Sequence, residues 1–404
     1  MPFAPGEVPP TSIQPSRLRV VHIVEACLGG VRKHLLDLCQ GLDAARFELT
    51  AILAPGRDPD PEATRALLQA AGVEVIQVPM RRGLAPASDR RCLREIEAHL
   101  RRIQPQVVHC HSAKAGYLGR LAAKRAAVPG VIYTPHGFPF TMRARWPWRR
   151  LYRQVERRLA RVTSRIICVC ESEREVALRA KVASPEQLTV IPNGVEFGPA
   201  PEVERTAKRD ALGLPPGARA ILCVGDARPQ KGYSVAIRAM PNLVKRDGRA
   251  HLLIAGKSGS EATHLLEGLA GMSAVGPGLT THLHCLGPRD DVPELLAACD
   301  VFCMPSLWEG CPYALIEAAG AGCAIVASDI PGISDIITDG ETGWLFPAGD
   351  VAALAAALIT ALRDPTERLR RGAAAACYAR EHHRLDRMLE LTAALYEDAA
   401  RPPP

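Results

Sequence analysis

The chain has 404 residues, 47% of them hydrophobic, which is enough apolar material for two or three domains with cores of their own. Fifty Lys+Arg against 43 Asp+Glu leave a net charge of +7, too mild and dispersed to argue for DNA by itself but suited to anionic small molecules or a lipid surface. Thirteen cysteines, an odd number lying in apolar runs without a CxxC pair, indicate neither a disulfide framework nor a zinc site, and no run of 18 apolar residues is present to span a bilayer.

Residues 1–17 are Pro-rich and lack the charged-then-apolar profile of a secretory signal, so a disordered segment is expected there and buried thiols in a reducing cytoplasm thereafter. From Leu18 the chain alternates short β-branched runs with turns and helical stretches: "LRVVHIVE", "FELTAILAP", "VEVIQVP", "QVVHCH", "GVIYTPH", "SRIICVC" and "LTVIPNGV" read as buried parallel strands. This defines a first domain, 18–197. A linker rich in proline and charge follows, and the alternation restarts with "RAILCVGDARPQKG", "AHLLIAG", "THLHCLG", "CDVFCMPS", "CAIVAS" and "TGWLFPAG", a second domain over 198–380. The last segment, 381–404, reads as one more helix, with leucines at 385, 389 and 391, able to pack back on the first domain. The expected fold class is α/β, two Rossmann-like parallel-sheet domains facing a central cleft, with ligands beyond the carboxyl ends of the strands.

The loops after those strands hold the candidate chemistry. "LGG" puts Gly29 and Gly30 at a helix start, where backbone can approach a phosphate. "VVHCHSAKAG" puts His109 and His111 at one strand end and "TPHGF" puts His136 at another. Alternating histidines raise the question of a metal, but a zinc site needs about four converging ligands and no partner set is evident, so no metal site is expected. Residues 141 to 165 carry nine arginines, among them Arg143, Arg145, Arg149 and Arg153, against one glutamate, with Trp146 and Trp148. Leu151, Val155, Leu159 and Val162 form an apolar stripe and Arg149, Arg153, Arg157 and Arg161 the opposite row. That pattern suits anionic headgroups, or equally a packed helix with a solvated arginine face. No nucleic-acid module accompanies it, so no nucleic-acid partner is expected.

In the second domain, "VGDARPQKG" offers Gly225 for a tight turn with Arg228 and Lys231 within reach of an anion, or simply two solvated cations. "LWEGCPYALIEAAGAG" places Glu309 before a helix start at Gly310, Cys311 and Pro312, and Glu317 inside the helix. Exposed N–H groups there favour a phosphate, and carboxylates accept hydrogen bonds from sugar hydroxyls. The plain alternative is a loop acid and a solvated helix acid.

Together these segments resemble the retaining glycosyltransferases of family four, which have the GT-B fold, over nearly the whole chain after Leu18. The most specific piece is "EGCPYALIEAAGAGCAIVAS", which matches that family's E-x7-E signature. "IPNGV", "RDDVPELLAACDVFCMPS" and "DIPGISDIITDGETGWLFPAGD" follow the pattern, and "VHCHSAKAGYLGRLAAKRAAVPGVIYTPHGF" is similar to the subset building bacterial surface polysaccharides on a lipid carrier.

The resemblance implies a UDP- or GDP-linked sugar as substrate, no cofactor and no metal. It further implies that a hexosyl group passes to a lipid-linked or polysaccharide acceptor at the inner face of the cytoplasmic membrane. It assigns Glu309 to the donor sugar, Glu317 to the ribose, Lys231 to the diphosphate, backbone near Arg289 to the base, and His136 to the reaction centre; His111 and the arginine-rich helix fall on the acceptor and membrane side. The family usually has Gly-Arg where this chain has Gly225-Asp226. Asp226 is expected to turn away and Arg228 to substitute. The alternatives are a sugar-nucleotide epimerase or hydrolase on the same scaffold, or a nucleotide-sugar-binding protein without turnover.

Overall fold

The computed structural model describes residues 17–83, 85–141, 146–198, 204–256 and 279–401. The expected disordered segment, Arg17 apart, lies outside them, as do Arg143 and Arg145.

Seven parallel strands form the first sheet: β1 (Leu18–Val24), β2 (Phe47–Leu53), β3 (Glu74–Gln77), β4 (Val107–His111), β5 (Gly130–Thr134), β6 (Arg165–Cys168) and β7 (Leu188–Val190), in the order β3-β2-β1-β4-β5-β6-β7. Between them run α1 (Gly29–Gly41), α2 (Pro61–Ala70), α3 (Pro86–Ile103), α4 (Ser112–Arg125), α5 (Trp146–Ala160) and α6 (Glu171–Arg179). Side chains of a strand alternate between faces, so the apolar residues of β1 feed two cores. Val21 and Ile23 pack with Ile96, Val108 and Leu118 of α3, β4 and α4. Val20 and Val24 pack on the opposite face with Leu35 and Leu38 of α1.

After α7 (Arg205–Ala211) the second sheet comprises β8 (Arg219–Val224), β9 (Ala250–Ala255), β10 (Leu283–Gly287), β11 (Val301–Met304), β12 (Ile325–Asp329) and β13 (Trp344–Pro347), ordered β10-β9-β8-β11-β12-β13 and again parallel. Its helices are α8 (Tyr233–Arg246), α9 (Val292–Ala298), α10 (Tyr313–Gly320), α11 (Val351–Arg363) and α12 (Pro365–His382). Asp350 and Asp364 cap α11 and α12 by accepting hydrogen bonds from first-turn amides, which the sequence pattern Asp-x-x at each start favours.

The chain then crosses back to the first lobe. Val195 N–H donates to His383 O and Leu385 N–H to Val195 O, and α13 (Leu385–Ala400) lies on the first lobe beside α1. Met388 and Tyr396 join the Leu35 core, and a Cβ on Gly41 would meet the Leu389 side chain at 2.4 Å. All thirteen cysteines are free thiols, but Cys285 and Cys377 are exposed, contrary to the expectation of uniformly buried thiols. Cys285 is exposed because β10 is an edge strand with one face uncovered.

Candidate active site

Between the two lobes lies a cavity of about 420 Å³. The first lobe contributes Gly29, Gly30 and Lys33 of α1 and His136 from the turn after β5. The second contributes Gly225, Asp226, Arg228 and Lys231 after β8, and Glu309, Gly310, Cys311, Pro312 and Glu317 around the start of α10.

Two helices begin at opposite walls of this cavity. Leu28 and Pro312, the residues that precede them, supply no side-chain cap, and neither first turn carries an acid. The first-turn N–H groups of α1 and α10 and their positive dipole ends are therefore open to an anion from both sides. Gly29 adopts φ +53°, which lets the chain turn from β1 into α1.

On the second lobe, adjacent strands β8 and β11 deliver two loops to one point. Lys231 Nζ lies 2.8 Å from Glu309 Oε1, Ser306 Oγ donates to the same oxygen at 2.8 Å, and Gln230 Nε2 donates to Oε2 at 3.1 Å. Gln230 also donates to Trp308 O at 3.0 Å and accepts at its own carbonyl from Leu307 N–H. Gly232 closes the turn at φ +63°, where a Cβ would stand 2.0 Å from Pro305 O, so the loops touch only because this residue is glycine.

Asp226 does not turn away as expected. It lines the cavity and is held by its pair with Arg228 at 3.2 Å. Glu317 is mostly buried, and that burial holds its carboxyl above the usual range; Lys33 opposes the shift and Asp37 adds to it.

His136 sits at φ +51°, a left-handed conformation uncommon outside glycine, immediately before Gly137 at φ +99°. Glu173 holds this turn: its carboxylate oxygens accept from Gly137 N–H at 2.7 Å and from Val169 N–H at 2.8 Å. Burial pushes the Glu173 carboxyl up to about 7 against the pull of those two amides.

Behind His136 the fold assembles a partner set that was not evident in the chain. His22 Nδ1 lies 3.1 Å from His111 Nε2, and His111 Nδ1 lies 3.3 Å from His136 Nε2. His109 contacts Tyr396 Oη at 2.6 Å and Thr134 Oγ1 at 2.7 Å, and His34 approaches Tyr313 Oη at 3.4 Å. Burial lowers the basicity of all five rings, to about 3 at His22 and about 4 at His34, so they are neutral. His22 and His34 were missed because each is one histidine in an apolar or amphipathic run. Asn193 was seen only as part of "IPNGV": its Nδ2 donates to Cys311 O at 2.7 Å and steadies the α10 start.

Other candidates fall elsewhere. Arg289, where the expected contact is by backbone, has its side chain paired with Asp291 at 2.5 to 2.7 Å, and His111 lies one ring behind His136. On α5, Trp146, Trp148 and Leu151 are exposed, so the apolar stripe is not wholly packed. Two arginines of the opposite row are engaged by the protein itself: Arg149 donates to Phe140 O and Arg157 to Ala180 O. Arg153 is half-buried, and Arg150 stacks 3.8 Å over Trp146. The one glutamate of this helix, Glu156, is buried against Arg120 at 2.7 Å.

The chain is similar to known glycosyltransferases in sequence and in fold. Residues 28–197 match the family described as Glycosyltransferase Family 4, and residues 218–364 match Glycosyl transferases group 1. A UDP-Gal:alpha-D-GlcNAc-diphosphoundecaprenol alpha-1,3-galactosyltransferase of Escherichia coli is 29% identical over 86% of this chain and 89% of its own. A phosphatidyl-myo-inositol mannosyltransferase of Mycobacterium leprae is 30% identical over 86% and 87%. Among solved structures, Anabaena Alr3699/HepE in complex with UDP superposes with a TM-score of 0.78 at 20% identity, covering 94% of this chain and 100% of that one. A glycosyltransferase from Rickettsia africae gives 0.80 at 17% identity, over 96% and 99%.

Proposed function

We propose, from the premise that the chain belongs to glycosyltransferase family 4 and is a sugar-nucleotide-dependent glycosyltransferase of GT-B fold, that it is a retaining hexosyltransferase acting on a lipid-linked or polysaccharide acceptor. The observation that carries the site reading is the meeting of the Lys231–Glu309 pair with two uncapped helix starts on one interlobe cavity. A nucleoside diphosphate sugar is the ligand whose chemistry fits: its phosphates suit the helix starts, Lys231 and Arg228, and its hydroxyls suit the carboxylates.

In this reading Lys231 neutralises charge building on the diphosphate as it departs, the kind of electrostatic stabilisation that supplies much of a transferase's rate. Glu309 accepts from hydroxyls of the donor sugar and Glu317 from the ribose. The acceptor hydroxyl forms the new bond to the anomeric carbon on the face from which the phosphate oxygen leaves, and its proton passes to that oxygen, so configuration is retained. His136 stands beside the transferred sugar, and Gly29, Gly30 and the α10 start hold the phosphates. Chain segments 18–197 and 198–380 serve as acceptor and donor domains.

The acceptor reading rests on the diphosphoundecaprenol-linked substrate in the name of the Escherichia coli relative and on the exposed tryptophans and arginines of α5. Among the described residues no helix is long and apolar enough to cross a membrane. Peripheral contact with anionic lipid through α5 is therefore the proposed route to a lipid-linked acceptor.

The experiment is a panel of UDP- and GDP-sugars screened for thermal stabilisation, followed by transfer to short lipid diphosphate-linked sugars with the product anomer read by NMR. One donor should stabilise in a concentration-dependent way and yield a product of unchanged anomeric configuration. Inversion, or release of free sugar or epimer without acceptor, would overturn the reading. Glu309→Ala should weaken donor binding in calorimetry; unchanged affinity together with unchanged turnover would remove the sugar-contact role.

A further inference from the structure

Of the five clustered histidines, His136 alone has a part in the proposed transfer; His22, His34, His109 and His111 lie behind it and are not used. Among the described residues, two sets of three bring one nitrogen per ring within 4.8 Å of each other: His22, His109 and His111, and His34, His111 and His136. A tetrahedral zinc ion bound by imidazoles at 2.0–2.1 Å holds its nitrogens roughly 3.3 Å apart. The contact between His111 Nδ1 and His136 Nε2 is already 3.3 Å.

The two sets are not equivalent. In the inner one both nitrogens of His109 are engaged, by Tyr396 and Thr134. In the outer one His34 Nε2 is buried with no hydrogen bond of normal length, although the Asn193 side chain lies near enough to act on the ring. The ring of His34 packs edge-on against that of His136, centroids 4.9 Å apart. The outer nitrogens of the set are backed as bound imidazoles require: His34 Nδ1 faces Tyr313 Oη at 3.4 Å and His111 Nε2 faces His22 Nδ1 at 3.1 Å, which leaves His34 Nε2 and His111 Nδ1 as lone-pair donors. His136 lines the cavity while His34 and His111 lie behind it, so the side of the set that faces the cavity is the His136 side.

We propose that His34, His111 and His136 form a binding site for a divalent transition metal that prefers imidazole, Zn²⁺ or Co²⁺, opening into the interlobe cavity. The donor set is three imidazoles without a carboxylate, which selects against Mg²⁺ and Ca²⁺. An ion there replaces the His111–His136 hydrogen bond and pins α1, β4 and the His136 turn together, so its effect on transfer is inhibition.

The test uses the full chain after chelator treatment and dialysis, titrated with CoCl₂ while the visible absorption of low-coordinate Co²⁺ is followed, and with ZnCl₂ in a calorimeter. One ion per chain is expected, with Zn²⁺ displacing Co²⁺. His34→Gln should weaken binding at least about tenfold. His136→Asn, which keeps a residue tolerant of left-handed backbone, should do the same and guards against misfolding of the first variant. His109→Gln and, on the second lobe, His251→Gln should change affinity by less than about threefold. Absence of the visible bands, binding that survives both His34→Gln and His136→Asn, or equal loss with His251→Gln would overturn the proposal.

Discussion

Asp226 adds a carboxylate to the cavity wall that carries Arg228 and Lys231. It pairs with Arg228 at 3.2 Å, and both side chains are about two-fifths exposed (37% and 42%), so water screens the pair heavily. A carboxylate about 4 Å from a phosphate costs on the order of 1 kcal/mol under water-like screening. Asp226→Arg is therefore expected to preserve donor affinity or raise it by up to about fivefold in calorimetry; a large loss would reveal a positive role for the acid. Glu173 sets a different dependence, on pH. Its folded pKa of about 7 lies above the ordinary value of 4.5, raised chiefly by burial and also by Asp335. Between those values the folded protein keeps a proton that the unfolded chain has lost, so this group's contribution to stability falls as pH rises from about 4.5 to 7 and is level above that. Glu173→Gln should flatten the pH 5 to 7 limb of the urea-denaturation profile, whatever it does to stability at pH 8. An unchanged slope would show that this carboxyl does not titrate there.

At the scale of elements, α13 is a strap whose attachment is apolar inside and charged at the rim. Tyr396 is fully buried among Val20, Leu35 and Phe47, while Arg46–Glu397 and Arg165–Asp398 pairs lie outside. Burial of the ring dominates, since exposed ion pairs contribute about 1 kcal/mol or less. Tyr396→Ala should destabilise by about 3–5 kcal/mol, and Tyr396→Phe, which leaves His109 Nδ1 without its partner, by about 1–3 kcal/mol. Chemical denaturation checks both, and equal effects would mean that the hydroxyl, not the ring, holds the strap. The helix α5 presents the reverse arrangement, with Trp146, Trp148 and Leu151 outward. In vesicle flotation the protein should be recovered more with anionic than with neutral lipid, and Trp146→Ala with Trp148→Ala should abolish the difference. Equal recovery from both lipids would remove the headgroup argument.

For the molecule as a whole, the lobes meet through the Val195 crossing and through Asp335, whose oxygens accept from Ser172 N–H of one lobe and Gly332 N–H of the other. Gly332 packs so closely that a Cβ would stand 2.0 Å from Gly310 O, tying the floor of the cavity to this joint. Cations and helix starts from both lobes supply the charge complementarity for a diphosphate, so the transfer itself is expected to proceed without a divalent ion. Activity should persist in excess chelator and fall when Zn²⁺ is added back; loss of activity on chelation would contradict that division of roles.

The short, β-branched, largely apolar runs from "LRVVHIVE" onward, bounded by turn residues and alternating with helical stretches, read as parallel strands covered on both faces, and the two sheets follow that reading. Glu309, Gly310, Glu317 and, after β8, Lys231 line the cavity as the family resemblance implied, whereas their spacing alone left a loop acid and a solvated helix acid equally open. The histidine set was beyond such reading: His22, His34, His109, His111 and His136 come from β1, α1, β4 and the turn after β5, and only strand register brings His22 beside His109. Sequence patterns report which face of an element is apolar, whereas the direction of one polar side chain depends on backbone torsions and on partners scores of residues away, which exist only once the chain has folded.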